Sequence, residues 1–236
     1  MLSPANSRRS LEHLADAFDP LIKTERTSDV DTVRDIVVIG GSEGSFGPLR
    51  QILSGLPADF PAAVLIVVHT GSSSPRLLAS IFDSWSALPV AYADEGVRVE
   101  AGRVYVAPPG RHLEVVEPGL MHLSDGPKLH FSKPAVDRLF GTAAAVFGRR
   151  VISMILSGND GDGAAGAAAV RAAGGVSLVQ DPGDALVSSM PIRAIEKDHP
   201  NSLVRTDALL EALIHCVTPL ELERTAAGDR TSSVDR

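Results

Sequence analysis

The chain has 236 residues, a net charge of −7 and a sequence pI near 5.5, and aromatic residues make up only 4% of it. No basic stripe supplies phosphate contacts, which excludes nucleic acid as a partner, and the single Cys216 excludes an internal disulfide framework. With no secretory signal and no apolar run near the ~20 residues that span a bilayer, the sequence predicts a cytoplasmic protein without direct membrane insertion.

Residues 1–34 form a predicted extension ahead of the main domain. The segment "SLEHLADAFDPLI" places Leu11, Leu14 and Phe18 on one face of a short helix that Pro20 ends. Two interpretations stay open: the helix packs on the domain surface, or it docks a partner protein. At the other end of the chain, residues 219–236 are polar and small, and we expect a disordered tail there.

Between these ends, residues 35–218 alternate short apolar runs with stretches of helical spacing. The strand-like runs include "DIVVIG", "AAVLIVVH", "RVISMILSG" and "VSLVQD", and the helical stretches include "PLRQILSGL" and "DGAAGAAAVRAAGG". This alternation predicts an α/β fold, a doubly wound and mostly parallel sheet with helices on both faces. Four segments cut by glycine and proline predict a small antiparallel excursion, namely "LPVAYA", "GRVYVAPPG", "HLEVVEPG" and "LMHLSDG".

The first candidate site is "GGSEG", which follows the first predicted strand. Gly40, Ser42 and Gly44 satisfy G-x-S-x-G, the strand-to-helix turn that exposes a serine hydroxyl as a nucleophile. A phosphate cradle or a nucleotide fingerprint uses the same order of strand, glycine and helix. However, the G-x-G-x-x-G spacing and a following Lys-Ser or Lys-Thr pair are both missing. The sequence therefore favours a nucleophile turn over nucleotide binding.

The second candidate is His69, which ends the second buried strand where the chain enters a polar loop. A lone histidine usually has a structural or solvated role. Beside a serine turn on the preceding strand, it can instead accept the serine proton as general base and return it as general acid. The combination favours a catalytic role for His69.

The third candidate is the loop "ILSGNDGDGAAG". An EF-hand calcium loop is excluded because Gly158 stands where the first ligand belongs and Ala169 where the bidentate glutamate belongs. We interpret Asp160 as an ordinary helix cap and Asp162 as the carboxylate that orients the imidazole. The resulting order of serine, histidine and aspartate differs from that of the α/β-hydrolases, but geometry rather than chain order defines a catalytic triad.

Several ordered motifs resemble the catalytic domain of the CheB-type protein-glutamate methylesterases of bacterial chemotaxis, over about residues 35–213. They are "IGGSEGS", "VVHT", "VYVAPPGRHLEV", "SKPAVDRLF", "LSGNDGDGAAG", "QDP" and "SSMP", in the family's order. The resemblance implies a Rossmann-like methylesterase fold that hydrolyses glutamate 5-O-methyl esters on the cytoplasmic helices of methyl-accepting chemoreceptors, often with glutamine deamidation. It implies Ser42 as nucleophile, His69 as general base and acid, and Asp162 as orienting carboxylate, with no metal and no organic cofactor.

Five residues near the predicted triad depart from the family's pattern, among them Ser45 in place of a glycine and Thr70 where methionine is frequent. Glu43 stands where a small residue is usual, Asn159 where methionine is common, and Asp160 where glycine is common. Backbone N–H groups near Glu43 or Asn159 are candidates for stabilising an oxyanion. The altered surroundings leave a second hypothesis open, a catalytically weakened or inactive methylesterase-like scaffold that binds signalling proteins.

Regulation is a further departure from the resemblance. Members of the family commonly carry an N-terminal phosphoacceptor receiver domain that blocks the active site until it is phosphorylated. Only 34 residues precede the first predicted strand, too few for a separate domain of ordinary size. We therefore expect either constitutive activity or control by a regulatory protein in trans, through the Leu11–Phe18 helix.

Overall fold

A computed structural model describes residues 33–71, 74–197 and 199–217 of the protein. The predicted helix that carries Leu11, Leu14 and Phe18, and the predicted tail at 219–236, lie outside the described residues. Within the described ranges, strands and helices alternate as the sequence predicts. None of the helices in these ranges combines the length and the apolar character that crossing a bilayer requires.

The main sheet of the described residues has seven strands in the order β3-β4-β2-β1-β7-β8-β9, and each neighbouring pair is parallel. Strands β5 and β6 form a separate antiparallel hairpin. The strands are β1 Ile36–Gly41, β2 Ala63–Val68, β3 Val90–Tyr92, β4 Val104–Val106, β5 His112–Val116, β6 Leu120–Ser124, β7 Val151–Ile155, β8 Val176–Gln180 and β9 Ser202–Val204. The predicted mostly parallel, doubly wound sheet is confirmed.

Helices cover both faces of this sheet because the side chains of its central strands are apolar on both faces. The α-helices are α1 Phe46–Gly55, α2 Leu78–Asp83, α3 Val136–Phe147, α4 Ala164–Ala172, α5 Ser189–Lys197 and α6 Leu209–Val217, with 3₁₀ turns at Gly148–Arg150 and Thr206–Ala208. Val38 of β1 packs in one core with α3, α4, α5 and the hairpin. Its neighbour Val37 packs in the other core with α1, α2 and α6. Successive strand residues therefore serve opposite layers, as the pleat of a strand requires.

The antiparallel part of the fold is smaller than the sequence predicts. Among the named strands of the described residues, β5 and β6 alone pair antiparallel, and an isolated antiparallel bridge joins Arg98 to Leu120, whereas β3 and β4 lie parallel at one edge of the main sheet. β4 can run parallel to β3 because the segment that connects them first crosses back along β6. Along this segment the Gly96 N–H donates to the Met121 carbonyl, and the Met121 N–H donates to the Val97 carbonyl. The three-residue strand β9 was not predicted, since a run that short carries no recognisable alternation.

Close packing of α3 against α4 depends on a glycine. A Cβ at Gly166 would lie 2.5 Å from the Phe140 Cβ and 3.2 Å from the Asp137 Cα. We expect Gly166→Ala to lower the free energy of unfolding by about 1–3 kcal/mol, because the overpacking outweighs the helix propensity gained. Chemical denaturation measures the change.

Gly141 on α3 is the matched control, because a Cβ there would meet nothing within 4 Å. Gly141→Ala should therefore raise the free energy of unfolding, by up to about 1 kcal/mol. Equal effects of the two substitutions would contradict the packing argument.

Candidate active site

Three adjacent strands bring the predicted site residues to one edge of the sheet. Strand β1 lies between β2 and β7, so the strand order reverses beside β1. Ser42 follows β1, His69 follows β2, and the loop after β7 contains Asp162. In open α/β sheets, ligands bind at the carboxyl ends of the strands where this reversal opens a crevice.

Ser42 lies on a tight turn held by backbone hydrogen bonds. Its N–H donates to the Ser157 carbonyl over 2.9 Å, and its own carbonyl accepts the Ser45 N–H over 3.1 Å and the Ser45 hydroxyl over 2.6 Å. Gly44 has φ +84, a left-handed conformation that favours glycine. The Ser42 hydroxyl makes no hydrogen bond to another described residue, and the side chain is half-buried.

The side chains of His69 and Asp162 are hydrogen-bonded directly. The imidazole Nε2 lies 2.7 Å from Oδ2 of Asp162, with the His69 side chain 11% exposed and that of Asp162 fully buried. Because a carboxylate oxygen accepts hydrogen bonds, the tautomer that fits this contact has its N–H at Nε2 and leaves Nδ1 as the accepting nitrogen. The His69 N–H donates to the Gly41 carbonyl over 3.1 Å, which holds His69 beside the turn.

No hydrogen bond joins the side chains of the described residues Ser42 and His69 in this conformation. Catalytic hydrogen bonds of this kind are often long before substrate binds. The two residues follow paired strand ends, since Gly41 and Val68 are register partners. Their backbones are therefore neighbours at the carboxyl edge, and Nδ1 is the nitrogen left to receive a serine proton.

The Asp162 carboxylate also caps a helix other than the one that follows it. Its Oδ2 accepts the Val136 N–H over 2.7 Å and its Oδ1 accepts the Asp137 N–H over 2.9 Å, at the start of α3. The carboxylate thus satisfies two of the backbone N–H groups that the first turn of a helix leaves without partners. Burial raises the pKa of the nearby Asp137 carboxyl, and the Asp162 charge adds to that rise.

The interpretation of Asp160 as an ordinary helix cap is wrong. The N-cap position of α4 is Gly163, without a side-chain cap. Asp160 has φ +72, and its Oδ1 instead accepts the Asp162 N–H over 2.8 Å within the loop. Its Oδ2 lies 3.8 Å from Nδ1 of His69. An aspartate shortly before a helix gives the same sequence pattern whether its side chain caps that helix or accepts a hydrogen bond within the preceding loop.

The side chains of Glu43 and Asn159 contact each other. Asn159 Nδ2 donates to Oε2 of Glu43 over 2.8 Å, and both residues are exposed. Their backbone N–H groups have no hydrogen-bond partner among the described residues. Both N–H groups are thus available to a ligand, and their role as oxyanion donors stays a prediction.

Ser157, a residue of the loop after β7 that sequence reasoning missed, connects the loops around Ser42. This fully buried serine donates its hydroxyl to the Glu43 carbonyl over 2.8 Å and accepts the Val187 N–H over 2.9 Å. Its own N–H donates to Oε1 of the buried Gln180 over 2.8 Å. The only signal in the sequence is a serine that ends an apolar strand, which is too common to single out.

Ser157→Ala should lower kcat about tenfold with little change in KM, because a loosened Glu43 displaces the neighbouring Ser42. Ser153→Ala is the matched control: it also removes a buried serine hydroxyl, here one on β7 whose only hydrogen-bond partner among the described residues is the Val176 carbonyl, at 3.4 Å. Steady-state kinetics of an ester substrate compare the two variants. Equal effects on kcat would contradict a positioning role for Ser157.

No group of three or more His, Cys, Asp or Glu side chains within the described ranges is arranged to hold a metal ion. The side chains that the site does bring together are a hydroxyl on a tight turn, an imidazole bonded through Nε2, and a buried carboxylate. Such a set can activate a serine for attack on an acyl carbon.

This chain is similar to proteins of known name. The protein-glutamate methylesterase/protein-glutamine glutaminase 2 of Methanosarcina acetivorans is 35% identical, over 91% of this chain and 64% of its own. The protein-glutamate methylesterase/protein-glutamine glutaminase of Symbiobacterium thermophilum is 38% identical, over 78% of this chain and 51% of its own. This chain thus spans less than two thirds of the length of either relative.

A solved structure is also similar to this chain. The Thermotoga maritima CheB methylesterase catalytic domain superposes with a TM-score of 0.73 at 33% identity, covering 78% of this chain and 98% of that one. A family model described as CheB methylesterase matches residues 37–213, a range that contains all three strand ends of the site. By that match and by its fold, the chain belongs to the CheB methylesterase family.

Proposed function

We propose that the protein is a carboxylic ester hydrolase that cleaves glutamate 5-O-methyl esters in proteins, with Ser42 as nucleophile, His69 as general base and acid, and Asp162 as orienting carboxylate. The observation that carries the proposal is the 2.7 Å contact between His69 Nε2 and the buried Asp162, beside the turn that holds Ser42. The names of the relatives, protein-glutamate methylesterase/protein-glutamine glutaminase, support it.

In the first half of the reaction, the Ser42 Oγ attacks the ester carbonyl carbon while its proton passes to Nδ1 of His69. The carbonyl oxygen becomes an oxyanion, and the backbone N–H groups of Glu43 and Asn159 are its proposed donors. The bond between carbon and methoxy oxygen then breaks, and the imidazolium gives its proton to the leaving group. Methanol departs, and an acyl-enzyme on Ser42 remains.

In the second half, His69 takes a proton from water as the water oxygen attacks the acyl carbon. Collapse returns that proton to the Ser42 oxygen and releases a glutamic acid side chain, which loses the remaining proton to solvent. Glutamine enters the same cycle with ammonia as the leaving group, so one site serves both the esterase and the deamidase activity. The Asp162 carboxylate stabilises the imidazolium in both halves and takes no proton.

The proposed substrates are the methylated cytoplasmic helices of chemoreceptors, which places the enzyme in the cytoplasm. We assign the catalytic domain to residues 35–218. The proposed regulation is either constitutive activity or control by a protein in trans that docks on the predicted Leu11–Phe18 helix. The proposed substrate follows from the family to which the chain belongs.

Methanol release from methylated chemoreceptor membranes tests the proposal. The purified protein should release methanol, and Ser42→Ala should not. A peptide that contains a glutamate methyl ester, assayed in parallel, separates the chemistry from receptor recognition. Failure of the wild-type protein to hydrolyse either substrate faster than Ser42→Ala would contradict the proposal and would favour a scaffold without activity.

A further inference from the structure

One polar contact at the mouth of the site joins two loops that are far apart in the chain. Asn159 Nδ2 donates to Oε2 of Glu43 over 2.8 Å, across a separation of 116 residues. Glu43 directly follows Ser42 on the turn after β1, and Asn159 lies in the loop after β7 that leads to Asp162. The bond therefore links the nucleophile turn to the loop of the orienting carboxylate.

The backbones on both sides of this contact are held independently of it. The Glu43 carbonyl accepts the hydroxyl of Ser157 over 2.8 Å. Beside Asn159, the Gly158 N–H donates to the Val187 carbonyl, and the Gly158 carbonyl accepts the Met190 N–H, each over 2.9 Å. Because both backbones are already fixed, this hydrogen bond requires little further loss of backbone entropy. Its main effect is on the direction in which the two exposed side chains point.

The direction of the Glu43 carboxylate matters because of the charge that develops next to it. The proposed reaction forms an oxyanion on the carbon bound to Ser42, one residue away. Two negative charges about 5 Å apart at a wet protein surface repel each other enough to slow a reaction about tenfold. A carboxylate bonded to Asn159 has its direction set by a neutral donor, whereas an unbonded one is free to rotate toward Ser42.

We infer that Asn159 is a positioning residue: its amide holds the Glu43 carboxylate away from the oxyanion that forms on the Ser42 adduct. The inference rests on the proposed function. According to this inference, the negative charge of Glu43 raises the energy barrier of the reaction, and the hydrogen bond from Asn159 keeps that rise small.

Four proteins test the inference in a mutant cycle: wild type, Asn159→Ala, Glu43→Gln and the double variant. Asn159→Ala should lower kcat about tenfold with KM nearly unchanged, because it frees the charged carboxylate. Adding Glu43→Gln to that variant should restore kcat to within about threefold of wild type, because it removes the charge. Glu43→Gln alone should raise kcat about two- to threefold for the same reason.

Rescue by loss of charge is the decisive outcome, since a merely structural bond would not be rescued by a second change at the same contact. An Asn159→Ala variant with wild-type kcat, or one that Glu43→Gln does not rescue, would overturn the inference. Thermal unfolding of all four proteins excludes misfolding as the cause. Glu100→Gln is the matched control, because it removes an exposed carboxylate that pairs with Arg103 at 3.1 Å.

The choice of substrate makes it possible to distinguish a failure of this inference from a failure of the proposed function. A small activated ester, p-nitrophenyl acetate, needs no receptor and reports acyl transfer to Ser42. If the wild type does not exceed Ser42→Ala with this ester and with a glutamate methyl ester peptide, the proposed function fails. If the wild type is active but the four proteins show no coupling, only the inference about Asn159 fails.

Discussion

Ser42→Ala is expected to lower ester turnover by roughly 10⁴-fold or more, the scale on which removing a triad nucleophile acts. The substitution removes the only atom that forms the proposed acyl bond. The hydrogen-bond donors around the site remain, so a small residual rate above that of water is expected. Methanol release and hydrolysis of a peptide methyl ester measure the loss directly.

The same substitution should leave the fold nearly unchanged. The Ser42 hydroxyl has no hydrogen-bond partner among the described residues, and the turn is held by the backbone groups of Ser42, which alanine keeps. We expect a change in the free energy of unfolding within about 0.5 kcal/mol, as at ordinary surface positions. Ser54→Ala, an exposed serine on α1, provides the control for both measurements.

Near-normal turnover by Ser42→Ala would remove the nucleophile assignment. A loss of turnover accompanied by a large fall in stability would instead point to a structural role for the hydroxyl, against the contacts described above. A loss of at least ~10⁴-fold with retained stability is what separates a catalytic serine from a buried positioning serine such as Ser157, whose loss should lower kcat only about tenfold.

The parts of the fold and site that the sequence predicts are those encoded in short segments. An apolar run that ends in glycines predicts β1 and the Ser42 turn, and a second run predicts β2 and the position of His69. Parallel strands bring their carboxyl ends to one edge, so the proximity of these residues follows from the fold class alone. To predict that these residues lie together, it was therefore enough to assign the alternating strands and helices correctly.

The parts that the sequence does not predict depend on contacts between distant segments. Asp162 was predicted to orient the imidazole, but its bonds to the start of α3 join residues 25 and 26 positions apart. In the sequence, Glu43 and Asn159 are two separate departures from the family's pattern. In the structure, their side chains form one hydrogen-bonded pair. No local pattern of polarity or helix capping encodes such pairings.

Asp162→Asn is expected to lower kcat by roughly 10³- to 10⁴-fold, the range found when a triad carboxylate becomes an amide. The amide is nearly isosteric with the carboxylate but carries no charge to stabilise the imidazolium. It also offers an N–H group where Nε2 of His69 needs an acceptor in one of its two orientations. In that orientation, the imidazole is driven toward the tautomer that cannot receive the serine proton on Nδ1.

The same variant should also be less stable, by about 1–3 kcal/mol, because Asp162 satisfies more donors than an amide can. Its Oδ2 accepts from His69 and from the Val136 N–H, and its Oδ1 accepts the Asp137 N–H. Asparagine has one oxygen, so either orientation leaves at least one N–H at the start of α3 facing an amide NH₂ group. Denaturant unfolding at neutral pH measures this cost.

Asp83→Asn separates the two consequences of the change. Asp83 also accepts a backbone N–H, that of Val90 over 3.0 Å, but it lies on α2 without contact to an imidazole. Asp83→Asn should therefore cost a little stability and leave kcat at the wild-type level, whereas Asp162→Asn should change both. Kinetics well below the unfolding temperature confine the comparison to folded enzyme. An Asp162→Asn variant that retains more than a tenth of wild-type kcat would show that His69 works without this carboxylate.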